Sequence, residues 1–151
     1  MRRACRVADE GAALVHDRAR QGRVNRATGE AGERVFEMIC VILGWQMDRV
    51  QPPTKRVYSG RQLVTVCLPG HDGVWDYTGY DDAGLWLACE VKTAHGDTMP
   101  CSRVERDQRR WASHKPLSRL FVAILWLDTG RMEVFPYADA GNYRRGKGIA
   151  P

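Results

Sequence analysis

Asp76, Glu90 and Lys92 are the residues of this chain whose types and spacing point most directly to chemistry. Glu90 and Lys92 lie two apart near the end of the apolar run LWLACEVKTA, which reads as a strand. Side chains alternate along a strand, so the acid and the amine share a face with Trp86 and Ala88. Leu85, Leu87, Cys89 and Val91 face the other way. Charged groups are rarely buried unless they are paired or hold a metal. With Asp76 supplied by a neighbouring strand, GVWDYTGY, two carboxylates would hold a hard divalent cation such as Mg²⁺, with Mn²⁺ as an alternative. The cation would relieve the repulsion between the carboxylates and polarise a phosphate or activate water. Lys92 would orient that water or stabilise developing charge. The combination suits hydrolysis of a phosphodiester. The same residues also fit a plainer reading, a solvated pair at a strand end with Asp76 in a turn.

The elements that must position these groups follow from periodicity. Val35, Phe36, Ile39, Cys40, Ile42 and Leu43 keep helical spacing across residues 30–43, and Gly44 ends the helix. WQMDRV reads as a first strand. QPPTKRVYSGR carries two prolines and three basic residues, so it cannot be a central strand and is expected to be a protruding basic loop or ribbon. QLVTVCL, GVWDYTGY and LWLACEVK are three strands separated by the turn signals PGHDG and DDAG. Ser102 and Glu105 form an S-x-x-E capping box, predicting a helix that runs to about His114 and stops before Pro116. RLFVAILWL and RMEVF, joined by DTG, form a hairpin. The order predicts an α/β fold with a central mixed β-sheet, partly antiparallel at its start, flanked by helices.

Two further polar residues fall near this set. Glu33 lies in the first helix, with Arg34 and Glu37 beside it, as a solvated acid would. Gln108 interrupts the apolar stripe Val104–Trp111 and needs a hydrogen-bond partner, either a backbone group or the lysine and its water. His71 and Asp72 fit turn chemistry, and His95 sits in a loop from which it could approach phosphate. No phosphate-cradling GK[ST] loop and no nucleophile elbow occurs.

Composition narrows the setting. The chain has 151 residues and a net charge of +5, with 44% hydrophobic residues and five tryptophans, as one globular domain would. No apolar run reaches the ~18 residues of a membrane span. The basic start MRRACRVADEG lacks a signal peptide's apolar stretch, so a cytoplasmic location is expected. The five cysteines show no zinc-like spacing, and Cys40, Cys67 and Cys89 read as reduced core residues. Residues 1–28 carry +4 and residues 138–151 carry +2, on a body of −1. The division expected is a basic N-terminal arm at 1–28, a body at 29–137 with the ribbon segment at 51–73, and a basic C-terminal tail at 138–151. The segment RQGRVNR reads as mobile. Basic arms on a near-neutral body suit a polyanion such as DNA.

The order of these residues resembles the PD-(D/E)xK nuclease superfamily, and within it Holliday-junction resolvases of the bacterial RecU type and the archaeal type. Gly29-Glu30-Ala31-Gly32-Glu33-Arg34 matches the G-x-x-x-E-R opening of the archaeal enzymes. Asp76-Tyr77-Thr78-Gly79 is similar to the RecU-type D-Y-x-G. Cys89-Glu90-Val91-Lys92-Thr93 resembles F-E-A-K-[ED]-T with the residue between Lys and Thr missing. Gln51-Pro52-Pro53-Thr54 is similar to the K-P-T-P that opens the RecU stalk, and Gln108 stands where the family has its helix glutamine. The resemblance covers about residues 25–137. It departs in two places: the segment 51–73 is shorter than a RecU stalk, and Trp75 replaces the family's proline. It implies a restriction-endonuclease-like core and a Mg²⁺-dependent homodimer that makes paired nicks in four-way DNA junctions. It also implies Glu33, Asp76, Glu90 and Lys92 as the active-site set. Lys55, Arg56 and Arg61 from the ribbon, and Arg103, Arg106 and Arg110 from the helix, would contact DNA phosphates. A same-fold nuclease cutting duplex DNA and a non-catalytic DNA-binding module are the alternatives.

Overall fold

The structure, a computed structural model, describes residues 3–68 and 73–149, with side chains described from Arg20 onward except that of Cys67. The turn expected at His71 and Asp72 and the packing expected of Cys67 lie outside the described residues. The chain begins with a helix, α1 (Arg3–Leu43), 41 residues long. Its C-terminal part buries Phe36, Ile39 and Cys40. Gly44, at φ +69°, closes it. The Trp45 N–H donates to the Cys40 carbonyl at 2.8 Å and the Gly44 N–H to that of Val41 at 3.3 Å. These two bonds satisfy carbonyls that the helix end would otherwise leave free. The segment RQGRVNR is helical, because α1 continues through it without a break.

Strands β1 (Gln46–Arg49), β4 (Tyr77–Tyr80), β5 (Trp86–Ala94), β7 (Leu120–Trp126) and β8 (Arg131–Pro136) form one sheet in the order β1-β4-β5-β7-β8. The β5–β7 pair is parallel and the other three are antiparallel, so the sheet is mixed. The run LFVAILW lacks alternation because β7 is buried on both faces. One face packs Cys89, Ala123, Leu125 and Val134 against α1. The other packs Ala88, Leu120, Val122, Ile124 and Trp126 with Trp75, Val104 and Ala112.

The segment after Pro53 is a separate two-stranded ribbon, β2 (Thr54–Ser59) with β3 (Gln62–Cys67), turning at Gly60. Lys55, Arg56 and Arg61 are exposed on it.

Two local expectations are corrected. Ser102 does not cap a helix: it lies in a 3₁₀ turn, Cys101–Arg103, and α2 (Arg106–Ala112) starts later. Val104 between them is extended and fully buried, so anchoring it in the core separates turn from helix. Glu105 is the N-cap, and its box partner is Gln108. Arg103 therefore does not share a helix face with Arg106 and Arg110. Residues past 138 also fold back on the body. There β9 (Asn142–Arg144) pairs with β6 (Thr98–Pro100), Tyr143 is buried, and Ile149 bridges Val134. The buried Glu133 carboxylate accepts the Gly146 N–H at 2.9 and 2.8 Å through its two oxygens, a contact no local pattern announces.

Gly79 has a packing reason. A Cβ there would stand 1.9 Å from the Gln46 carbonyl oxygen, across the β1–β4 pair. Because that oxygen is backbone, Gly79→Ala is expected to cost about 3 kcal/mol, the upper range of overpacking. Urea denaturation measures it, and a change below about 1 kcal/mol would show that the pair slides apart freely.

Candidate active-site cleft

Three elements meet where β4 and β5 diverge. Asp76, expected inside the strand GVWDYTGY, is instead the residue just before β4, because only Tyr77–Tyr80 of that run pairs in the sheet; Glu90 and Lys92 lie on β5, and Gln108 is in the first turn of α2. Together with Glu33 of α1 they line one cleft of about 300 Å³, with Gly29, Thr93 and Arg103. Each of the five polar residues singled out in the sequence thus opens on the same space.

The contacts within it are specific. Lys92 Nζ donates to Glu90 Oε1 at 2.6 Å, and Gln108 Nε2 donates to the same oxygen at 2.5 Å. Gln108 Oε1 accepts the Glu105 N–H at 2.9 Å, closing the cap of α2, and lies 3.4 Å from Lys92 Nζ. The core-facing glutamine therefore has both kinds of partner, backbone and lysine. Asp76 Oδ2 accepts the Val91 N–H at 2.9 Å, and the Asp76 N–H donates to Glu90 Oε2 at 3.3 Å. These bonds tie the acid before β4 across the start of the β4–β5 pair.

Glu33 reaches the cleft from the other side. Its carboxylate is held by Arg49 of β1, at 2.7 and 2.9 Å. Neighbouring Glu37 accepts the Tyr77 hydroxyl at 2.9 Å. The Glu33–Arg49 pair was not visible in the sequence, because it depends on β1 folding back against α1. Arg103 donates to the Thr93 carbonyl at 3.0 Å and so sits at the rim of this cleft. Arg106 and Arg110 line a different one. His95 is also apart, its Nδ1 2.8 Å from Asp128 in an adjoining groove that shares Thr93 and Arg103 with the acid cleft.

Electrostatics mark the cleft as strained for anions. Burial, and after it the Asp76 charge, raise the Glu90 carboxyl to about 7, although Lys92 and Gln108 favour its ionised form. Burial also raises Glu33, against the pull of Arg49. The folded protein therefore binds a proton at Glu90 that the unfolded chain, near 4.5, has released. On this account Glu90 makes stability fall as pH rises from about 4.5 to 7. Asp76→Asn is expected to lower the Glu90 midpoint while leaving it above 4.5, because burial persists. Carbon-13 NMR titration of the carboxyl reads this directly, and an unmoved midpoint would mean that Asp76 is not its electrostatic neighbour.

The donor set is all oxygen, two carboxylates without histidine or thiolate, as hard cations prefer. Among the described residues, no group of three or more His, Cys, Asp or Glu side chains is placed to hold a metal by itself. A cation here would rest on Asp76 and Glu90 with water and a substrate phosphate, which is how Mg²⁺ is commonly held. Its charge would offset the burial and the Asp76 repulsion that disfavour the Glu90 carboxylate, so the residues fit the ion.

Among the described residues no helix is long and apolar enough to cross a membrane. No protein-family model matches this chain, and no curated protein matches it.

Proposed function

We propose that the chain is a Mg²⁺-dependent, structure-selective DNA endonuclease, a Holliday-junction resolvase working as a homodimer on a restriction-endonuclease-like core. The observation that carries this reading is the convergence of Asp76, Glu90, Lys92 and Gln108 on one cleft, with the Glu90 carboxyl raised by burial and then by Asp76. The mixed sheet, with α1 on one face and α2 on the other, supports the fold assignment.

Asp76 and Glu90 would hold the cation, which when bound supplies positive charge to the scissile phosphate and a more acidic water. Lys92 keeps its ammonium against Glu90, where it stabilises charge developing on the phosphate and orients the attacking water. Gln108 contacts both that ammonium and the carboxylate while capping α2, so the helix start is tied to the proposed catalytic pair. Glu33, fixed by Arg49, borders the opposite wall and acts as an acceptor for water or a cation-bound ligand. Two such sites related by a two-fold axis would match the symmetry of a four-way junction.

Labelled junction and linear duplex offered side by side with Mg²⁺ test the reading, with Asp76→Asn as the inactive control. Junction cut in preference to duplex supports it. Equal cutting assigns a duplex nuclease, and binding without cutting in Mg²⁺ or Mn²⁺ assigns a binding module.

The exposed ribbon residues Lys55, Arg56 and Arg61 are proposed phosphate contacts, alongside Arg103, Arg106 and Arg110. Each contact adds about 0.9 to the slope of log affinity against log salt on duplex arms. Replacing the three ribbon residues by alanine is expected to lower that slope by about 2.7. Fluorescence anisotropy across a salt series measures it, and an unchanged slope removes the ribbon from the DNA interface.

A further inference from the structure

A second cleft, of about 500 Å³, lies beside α2 and shares no lining residue with the acid cleft. Arg106, Arg109 and Arg110 stand at i, i+3 and i+4, so their guanidiniums share one helix face. Gln108 leaves the helix on another. Among the described residues none of these three arginines forms an ion pair, and Arg109 Nε is shielded from solvent with no acceptor. The Arg109 side chain is thus partly buried at the cleft wall, with none of its charge offset by an ion pair among the described residues. Among the described residues Asp139 is the one carboxylate lining the cleft, against three guanidiniums.

Leu117 and Tyr137 give the same cleft an apolar part. Leu117 is 59% exposed, which is high for a leucine in a concave site. Tyr137 is half-buried, its ring held edge-on to Trp75 at 5.3 Å. Burial and then Asp139 raise its phenol while the Arg109 charge lowers it, as expected of a guanidinium beside the ring. The volume lies within the roughly 300–1,000 Å³ of small-ligand sites and exceeds what a bare phosphate fills. Guanidiniums recognise phosphate oxygens, and a flat aromatic or apolar wall suits a base.

We propose that this cleft binds a nucleoside phosphate, its phosphate on Arg106, Arg109 and Arg110 and its base against Leu117 and Tyr137. The ligand is either a free mononucleotide or one nucleotide of a DNA strand. Neither needs the cation or Asp76, so the site extends the nuclease reading without depending on it.

Isothermal titration in EDTA with deoxyadenosine 5′-monophosphate, the dinucleoside monophosphate dApdA and inorganic phosphate tests this. Binding of at least one nucleotide is expected, at least tenfold tighter than inorganic phosphate. It should weaken at least tenfold in Arg106→Ala/Arg110→Ala, both exposed positions. Leu117→Ala should weaken the nucleotide but not phosphate, and is read alone if the double variant does not fold. Mononucleotide preferred over dApdA identifies a free nucleotide or a strand end, and equal binding identifies a strand interior. No nucleotide binding at millimolar concentration, or binding unaffected by these substitutions, overturns the proposal. So does binding lost in Asp76→Asn, since the ligand then belongs to the acid cleft. Mg²⁺-dependent cleavage by the same preparations separates the two ideas: binding without cleavage ends the nuclease reading alone, and cleavage without binding ends this one.

Discussion

Lys92→Ala is expected to lower the proposed Mg²⁺-dependent DNA cleavage by about 10³-fold, the upper range for removing one group that stabilises developing charge. Two effects add. The ammonium 2.6 Å from Glu90 Oε1 is lost from the cleft. Lys92 is also one of the groups that pull the raised Glu90 carboxyl down, so without it Glu90 holds its proton more tightly. A protonated Glu90 is a poor cation ligand. Part of the lost rate should therefore return as pH and Mg²⁺ concentration rise, while the part due to the missing amine should not. Single-turnover cleavage across pH 6–9 at several Mg²⁺ concentrations separates the two. A loss below about tenfold at every pH would remove Lys92 from the chemistry. The fold should tolerate the change, since Glu90 can neutralise itself by protonation rather than remain a buried unpaired charge.

Trp75→Ala is expected to destabilise the protein by about 4 kcal/mol, within the range for deleting a fully buried large aromatic. Trp75 has no exposure and lies between Trp111 and Tyr137, with ring centroids at 5.9 and 5.3 Å. Its Nε1 donates to the Gln108 carbonyl at 3.1 Å. The indole thus holds the start of α2 to the residue preceding Asp76. Alanine would open a cavity and release Gln108 from Glu90 and Lys92, so cleavage should fall with stability. Trp75→Phe keeps most of the packing and loses the hydrogen bond, a change of about 1 kcal/mol from the bond itself. Denaturant titration of both variants measures the difference. If alanine costs less than about 2 kcal/mol, Trp75 does not anchor the start of α2. The family resemblance marked this position as a departure, proline replaced by tryptophan, and the packing gives the tryptophan a purpose of its own.

The strands were legible because their periodicity and punctuation are local. WQMDRV, QLVTVCL, LWLACEVK and the final hairpin became β1, β3, β5 and the β7–β8 pair, shifted by one or two residues at their ends. The ribbon followed from Pro52 and Pro53, which cannot donate to a sheet. The helix starts were less legible. S-x-x-E at Ser102 and the Glu105–Gln108 box overlap in sequence, and which one caps depends on Val104 being drawn into the core. The tail past 138 was read from its charge, whereas Tyr143 and the Gly146–Glu133 contact bind it to the sheet.

By itself the sequence determined that Glu90 and Lys92 share a face, since alternation along a strand needs no partner. It also determined that α1 ends at Gly44, where the chain turns with positive φ. Only the tertiary structure decided what those charges meet. The β4–β5 pairing brings Asp76 to Glu90, the packing of α1 on β1 brings Glu33 to Arg49, and the buried Trp75 brings Gln108 of α2 to the same site. Spacing along a chain specifies direction within an element. Distances between elements come from sheet order and core packing, to which residues far apart in sequence contribute together.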